Sequence, residues 1–142
     1  MLLRNTITGS QQNTGAEGTK IHGRCQLQHI QILFIMIKNI SKAEVLVLKD
    51  QVAYQEGQVV SKTLAQNDAL SVTLFSFDKG EEISTHESGG DAFVTCLDGV
   101  GEITINGEKY ELHEGESIIM PAKHPHAVHG KEQFKMLLVV VF

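Results

Sequence analysis

Five turn signals punctuate the second half of this chain at intervals of about eight to ten residues: Asp78-Lys79-Gly80, Ser88-Gly89-Gly90, Asp98-Gly99, Asn106-Gly107 and Glu114-Gly115. Asp-Gly and Asn-Gly are the pairs that a type I′ hairpin turn asks for, because both central residues need φ above zero. The pieces between the turns read as short strands: Ala92–Leu97, Val100–Ile105, Glu108–Leu112, Glu116–Met120 and, after a longer gap, Phe134–Phe142. Upstream, Glu44–Leu48 and Val59–Leu64 are further strand candidates. In Leu70–Phe77, Leu70, Val72 and Leu74 alternate with Ser71, Thr73 and Phe75, the period of two that a strand requires. No helical stripe longer than a turn or two follows residue 41. Many short strands at this spacing make an all-β sandwich or barrel.

The 142 residues suit one domain. Residues 1–20 are rich in Gly, Thr, Asn and Gln and are expected to be flexible. Ile32 to Ile37 then form a compact apolar stretch too short for periodicity to separate strand, helix or interface segment. We divide the chain into a flexible or interface-forming extension, 1–40, and a barrel domain, 41–142. The change of character near Met36 also suggests that residue as a natural start.

Composition narrows the function. A net charge of -5 with no cluster of Lys and Arg argues against nucleic acid as a partner. The longest apolar run, Ile30 to Ile37, is far below the roughly 20 residues of a membrane span. Two cysteines, Cys25 and Cys96, make no disulfide framework, and the first residues do not read as a secretory signal. The expectation is a cytoplasmic protein without membrane attachment.

Histidine is where chemistry concentrates. Of seven, His86, His113, His124, His126 and His129 lie in the second half, three of them within Pro121–His129. Both prolines flank His124 and stiffen that turn. His113, His129, His22 and His29 carry no motif and are read as structural or surface residues. Cys96 shares strand parity with Ala92 and Val94, so it faces the interior as a small buried hydrophobe or a thiol near a pocket.

At this point the chain resembles the cupins, small RmlC-like barrels that carry two motifs. Gly80 is followed after five residues by His86, and Gly99 closes the first motif; Gly115 to Pro121 with a terminal His126 forms the second. The resemblance covers about residues 41–142 and implies an antiparallel jelly roll, or double-stranded β-helix. It also implies a metal site, with His86 as first ligand and His126 as last. The second ligand position falls on Ser88 and the third on Ala92, which cannot bind metal. Asp91, one residue off, would face away on a regular strand unless Gly89-Gly90 re-aim it; Glu87 and His124 are further candidates.

The expected pocket therefore comprises His86, Ser88, Asp91, Cys96, His124 and His126. Two functions follow: a small-molecule-binding cupin without turnover, or an oxygenase, isomerase or decarboxylase. The enzyme would hold Fe, Mn, Ni or Zn through His86, His126 and Asp91. Apolar residues on both faces of the strands around Phe93, Leu97 and Met136–Phe142 predict a homodimer, with residues 30–40 as a possible contributor.

Overall fold

The computed structural model describes residues 36–142. The apolar run up to Ile35 and the cysteine at position 25 lie outside the described residues. Seven antiparallel strands form the protein: β1 (Val59–Gln66), β2 (Leu70–Phe77), β3 (Glu82–His86), β4 (Asp91–Ile105), β5 (Glu108–His113), β6 (Ser117–Met120) and β7 (His126–Val141). The jelly-roll, all-β expectation holds. Among the described residues no helix is long and apolar enough to cross a membrane.

Two strands organise the rest. The C-terminal half of β7 lies between β2 and the first half of β4, whose other edge takes β6. The N-terminal half of β7 lies between β3 and the second half of β4, whose other edge takes β5. The sheet thus folds over into two leaves, with β4 and β7 running through both. Phe77, Val94, Ile103, Val128, Phe134 and Met136 fill the space between the leaves and are almost wholly buried.

The shared strands turn the corner at glycine. The β4/β7 register slips between Cys96 and Asp98 and again between Gly99 and Gly101. Gly99 adopts φ 72°, and a Cβ there would stand 1.6 Å from the Gln133 carbonyl oxygen. At Gly101 a Cβ would strike the Phe134 ring at 2.5 Å. The sequence reading of Asp98-Gly99 as a hairpin turn is corrected here: Ala92–Leu97 and Val100–Ile105 are one strand bent by a bulge. A φ-positive glycine serves both devices, so residue type alone does not separate them. Asn106-Gly107, by contrast, forms the expected hairpin, with φ 51° and 81°.

A second core lies on the outside of the first leaf. Val52, Leu64 and Leu74 are buried there, with Ile40, Leu48, Val60, Val72, Leu97 and Leu137 packed against them. The predicted strand Glu44–Leu48 is not a strand: the chain crosses this sheet face and enters a short 3-10 helix, Leu48–Gln51. Crossing a sheet face, it has no strand edge beside it to hydrogen-bond, so Leu48 is partly buried without a ladder forming.

These contacts yield a contrast. Gly101→Ala forces the buried Phe134 ring to shift and is expected to cost about 1–3 kcal/mol. Gly89→Ala, where an added Cβ meets nothing within 4 Å, should stay within about 0.5 kcal/mol of the parent. Urea unfolding of both variants checks the difference; equal values would show that the corner is not sterically set.

Candidate functional site

β3 ends at His86, just before the Ser88-Gly89-Gly90 turn, and β7 begins at His126, just after Pro125, which has no N–H to offer a ladder. The two histidines are direct cross-strand partners in the second leaf. Their ring centroids stand 4.4 Å apart at an interplanar angle of 71°. His126 is buried at 2% exposure, whereas His86 is exposed. The pair therefore sits at the rim of the barrel, one ring inside and one at its lip.

The hydrogen bonds fix which nitrogen of each ring is free. His86 Nδ1 lies 2.8 Å from the Ser84 carbonyl oxygen, and His126 Nδ1 lies 3.1 Å from that of His124. A carbonyl oxygen only accepts, so in the neutral form of each ring Nδ1 carries the proton and Nε2 keeps the lone pair. Burial, and then the neighbouring His86, hold His126 below the ordinary histidine range; the His124 carbonyl and Glu87 oppose this. In its neutral form the pair thus offers two imidazole acceptors.

The loop between β6 and β7 is fastened on both sides. Ala122 N–H donates to Asp91 Oδ1 at 2.8 Å, and Lys123 N–H donates to the Ser88 carbonyl at 2.8 Å. On the other side Asn106 N–H donates to the Pro125 carbonyl at 2.9 Å. His124 is exposed and its Nδ1 faces the Asn106 amide group, with Nδ2 at 2.9 Å. Asn106 was legible in the sequence only as a turn residue. Its clasp on this loop depends on tertiary placement that no local pattern signals.

The structure pairs the rings of His86 and His126, and among the described residues no third His, Cys, Asp or Glu side chain joins them in a metal-type group. Asp91 lies on the outer face of β4 with its carboxylate on Ala122, while its neighbour Ala92 points inward and is 2% exposed. The Gly89-Gly90 turn thus leaves the ordinary alternation intact, and Asp91 does not join the pair as a third metal ligand. Ser88 Oγ accepts from Gly90 N–H at 3.2 Å within the turn. Cys96 pairs in register with Met136, whereas His126 pairs with Ile105 at the far end of β4. The thiol is packed in the central core, where burial pushes its pKa up to about 11.

His113 is exposed between Glu111 and Glu116, in keeping with a surface role. His129 lies within β7 opposite Glu82 and Glu102. Among the described residues, no group of three or more His, Cys, Asp or Glu side chains converges to hold a metal ion.

Comparison with known proteins places this geometry. The family model for the cupin domain matches residues 73–142. A conserved protein of unknown function from Streptococcus pyogenes is 51% identical, with a TM-score of 0.73 over 75% of this chain and 93% of that one. A cupin superfamily protein from Desulfitobacterium hafniense is 36% identical, with a TM-score of 0.72 over 75% of this chain and 97% of its own. A salicylate 1,2-dioxygenase from Pseudaminobacter salicylatoxidans shares the fold at 18% identity, with a TM-score of 0.56 over 66% of this chain and 29% of that chain. No curated protein matches the chain.

The depressed pKa of His126 has a consequence for stability. The unfolded chain binds a proton at this residue near pH 6.5, the ordinary value, while the folded protein resists it until lower pH. His126 therefore contributes stability that is complete above about pH 6.5 and is lost as pH falls through the folded pKa. Between about pH 7.5 and about pH 5.5, urea unfolding should show a loss of stability that is smaller in His126→Gln. An unchanged slope in the variant would contradict the assignment.

Proposed function

This chain belongs to the cupin superfamily, and from that premise we propose that it binds a small polar molecule at the barrel rim without itself supplying a complete metal site. One observation carries the reading: His86 and His126 both spend Nδ1 on backbone carbonyls and leave Nε2 open, side by side. Two neutral acceptors over an apolar interior select a ligand that brings its own hydroxyl or N–H donors. Ile105, the register partner of His126 on β4, and Ile83, paired with Val128 two residues along β7, are partly buried against the core and supply the apolar part of the contact.

A second reading keeps the divalent-metal enzyme of oxygenase, isomerase or decarboxylase type. What favours it is the same tautomer pattern, since metal-bound imidazoles ordinarily donate their other N–H to a carbonyl or carboxylate. The donor chemistry does not complete it. Two nitrogens fall short of the three protein ligands usual at catalytic zinc and iron centres, and Ala92 occupies the inward position where an acid would stand. Fe, Mn, Ni or Zn at this pair would depend on ligands that the described residues do not bring.

The proposal includes a cytoplasmic setting, which suits the free, buried thiol of Cys96, and a homodimer as the working unit. Neither nucleic acid nor membrane has a place in it.

Elemental analysis of protein purified without a metal-affinity tag separates the two readings, with His126→Ala as the reference. The binding-module reading expects metal well below one equivalent, and no difference between native protein and variant. Near-stoichiometric Fe, Mn, Ni or Zn that disappears in the variant would replace it with the enzyme reading. In parallel, a thermal-shift screen of small hydroxylated and amine-bearing compounds should raise the Tm of native protein only. A true ligand at a hundred times its Kd stabilises by about 2.7 kcal/mol.

A further inference from the structure

The register of the second leaf sorts its side chains onto two faces. Leu112 on β5 is buried and pairs with Gly101, against which the Phe134 ring is packed, so this parity of β5 points into the barrel. With a period of two, Tyr110 and Glu108 share that inner face and pair with Ile103 and Ile105. Lys109, Glu111 and His113 point outward, where they meet Glu102, Lys131 and Glu116 respectively.

Two inner rows result. His86, His126, Ile105 and Glu108 are successive cross-strand partners on β3, β7, β4 and β5, along the rim. Ile83, Val128, Ile103 and Tyr110 form the row below it. The rim row carries two imidazoles at one end and a carboxylate at the other, with an isoleucine between them.

Glu108 differs from the outward carboxylates of its leaf. Glu102 and Glu111 each have a lysine partner. Among the described residues Glu108 forms no ion pair. The Tyr110 phenol donates to its carboxylate, and that bond, then burial, then the carboxylate's charge lift the phenol above the ordinary tyrosine range. At the opposite end of the row, Glu87 adds a second negative charge near His126.

We propose that Glu108 is the second end of the rim site and that the ligand is a small organic cation. Its ammonium group lies against Glu108, and a short apolar chain over Ile105 joins it to a hydroxyl or N–H that donates to the histidine pair. The inference rests on the reading of that pair as an acceptor site. The bare Nε2 of a neutral imidazole and the oxygens of a carboxylate only accept, so the row selects donors at both ends. An ammonium bonds a carboxylate about twice as strongly as a neutral donor does, and an anionic ligand would meet Glu108 as a like charge. Adjacent strands lie about 4.8 Å apart, so β7 and β5 are separated by roughly 10 Å. No single ion reaches both ends across that distance, whereas an extended molecule with a donor at each end does. Tyr110 is a positioning residue: its phenol holds the Glu108 carboxylate and acts on the ligand through it.

Isothermal titration calorimetry with three probes of one chain length tests this: the amino alcohol aminobutanol, the neutral diol butanediol and the acid hydroxybutyrate. At about pH 7.5 the amine is charged, and probe concentrations up to about 10 mM reach weak binding. Native protein should bind aminobutanol about tenfold or more tighter than butanediol, and hydroxybutyrate least of all. In Glu108→Gln the ratio of amine to diol affinity should fall toward one, and in Tyr110→Phe it should fall part of the way. Lys109→Gln, on the outer face of the same strand, should keep the native ratio. His126→Gln should weaken amine and diol together. Equal amine and diol affinities that Glu108→Gln does not alter, both lost in His126→Gln, would overturn this inference and leave the histidine pair as a ligand site. Amine binding that depends on Glu108 and is indifferent to His126→Gln would overturn the reading of the pair, and with it a ligand spanning the row. Binding of none of the three probes would overturn the ligand class proposed here.

Discussion

Everything in this protein depends on two strands being long enough to serve two leaves at once. β4 and β7 pair with each other along nearly their whole length, and each has a second partner in both leaves. A strand of ordinary length could not do this, and a straight one would not close the barrel. The bend needs backbone approach closer than any side chain permits, which is why Gly99 meets the Gln133 carbonyl and Gly101 meets the Phe134 ring. The corner is therefore both the least substitutable part of the chain and the feature that brings the start of β7 to the barrel rim.

From that placement the site follows with few further requirements. β7 begins where Pro125 ends the preceding loop, and β3 ends at the partner position, so His126 and His86 face each other by register alone. The loop that carries His124 is then held by Asp91, Ser88 and Asn106. A carboxylate that sequence spacing suggests as a metal ligand here anchors the loop that delivers His126. It contributes to the geometry of the site without touching it.

The all-β class, the Asn106-Gly107 hairpin and the Leu70–Phe77 strand were legible because each rests on a local rule: turn chemistry or a period of two. The histidine pair was legible through motif spacing. Three features were not, and for different physical reasons. Asp98-Gly99 carries the same residues for a bulge as for a hairpin, and only the long-range pairing with β7 decides. Glu44–Leu48 alternates like a strand, yet lies where no edge is available to pair. Cys96 has the parity of a pocket residue, but the interior between the leaves is filled, so an inward direction means core at Cys96 and rim at His126.

The distribution of apolar residues then links fold and function. A small barrel has one interior, and most inward positions here are used for packing, among them Phe77, Ile103, Val128, Phe134 and Met136; His126 is one of three buried polar residues, with Thr73 and Ser76. Ala92, inward on the first half of β4, brings no carboxylate to the interior. Each ring gives Nδ1 to a backbone carbonyl, and burial with the neighbouring His86 lowers the pKa of His126. The packing that fills the space between the leaves thus ends at the close of β3 and the start of β7, where the two imidazoles meet.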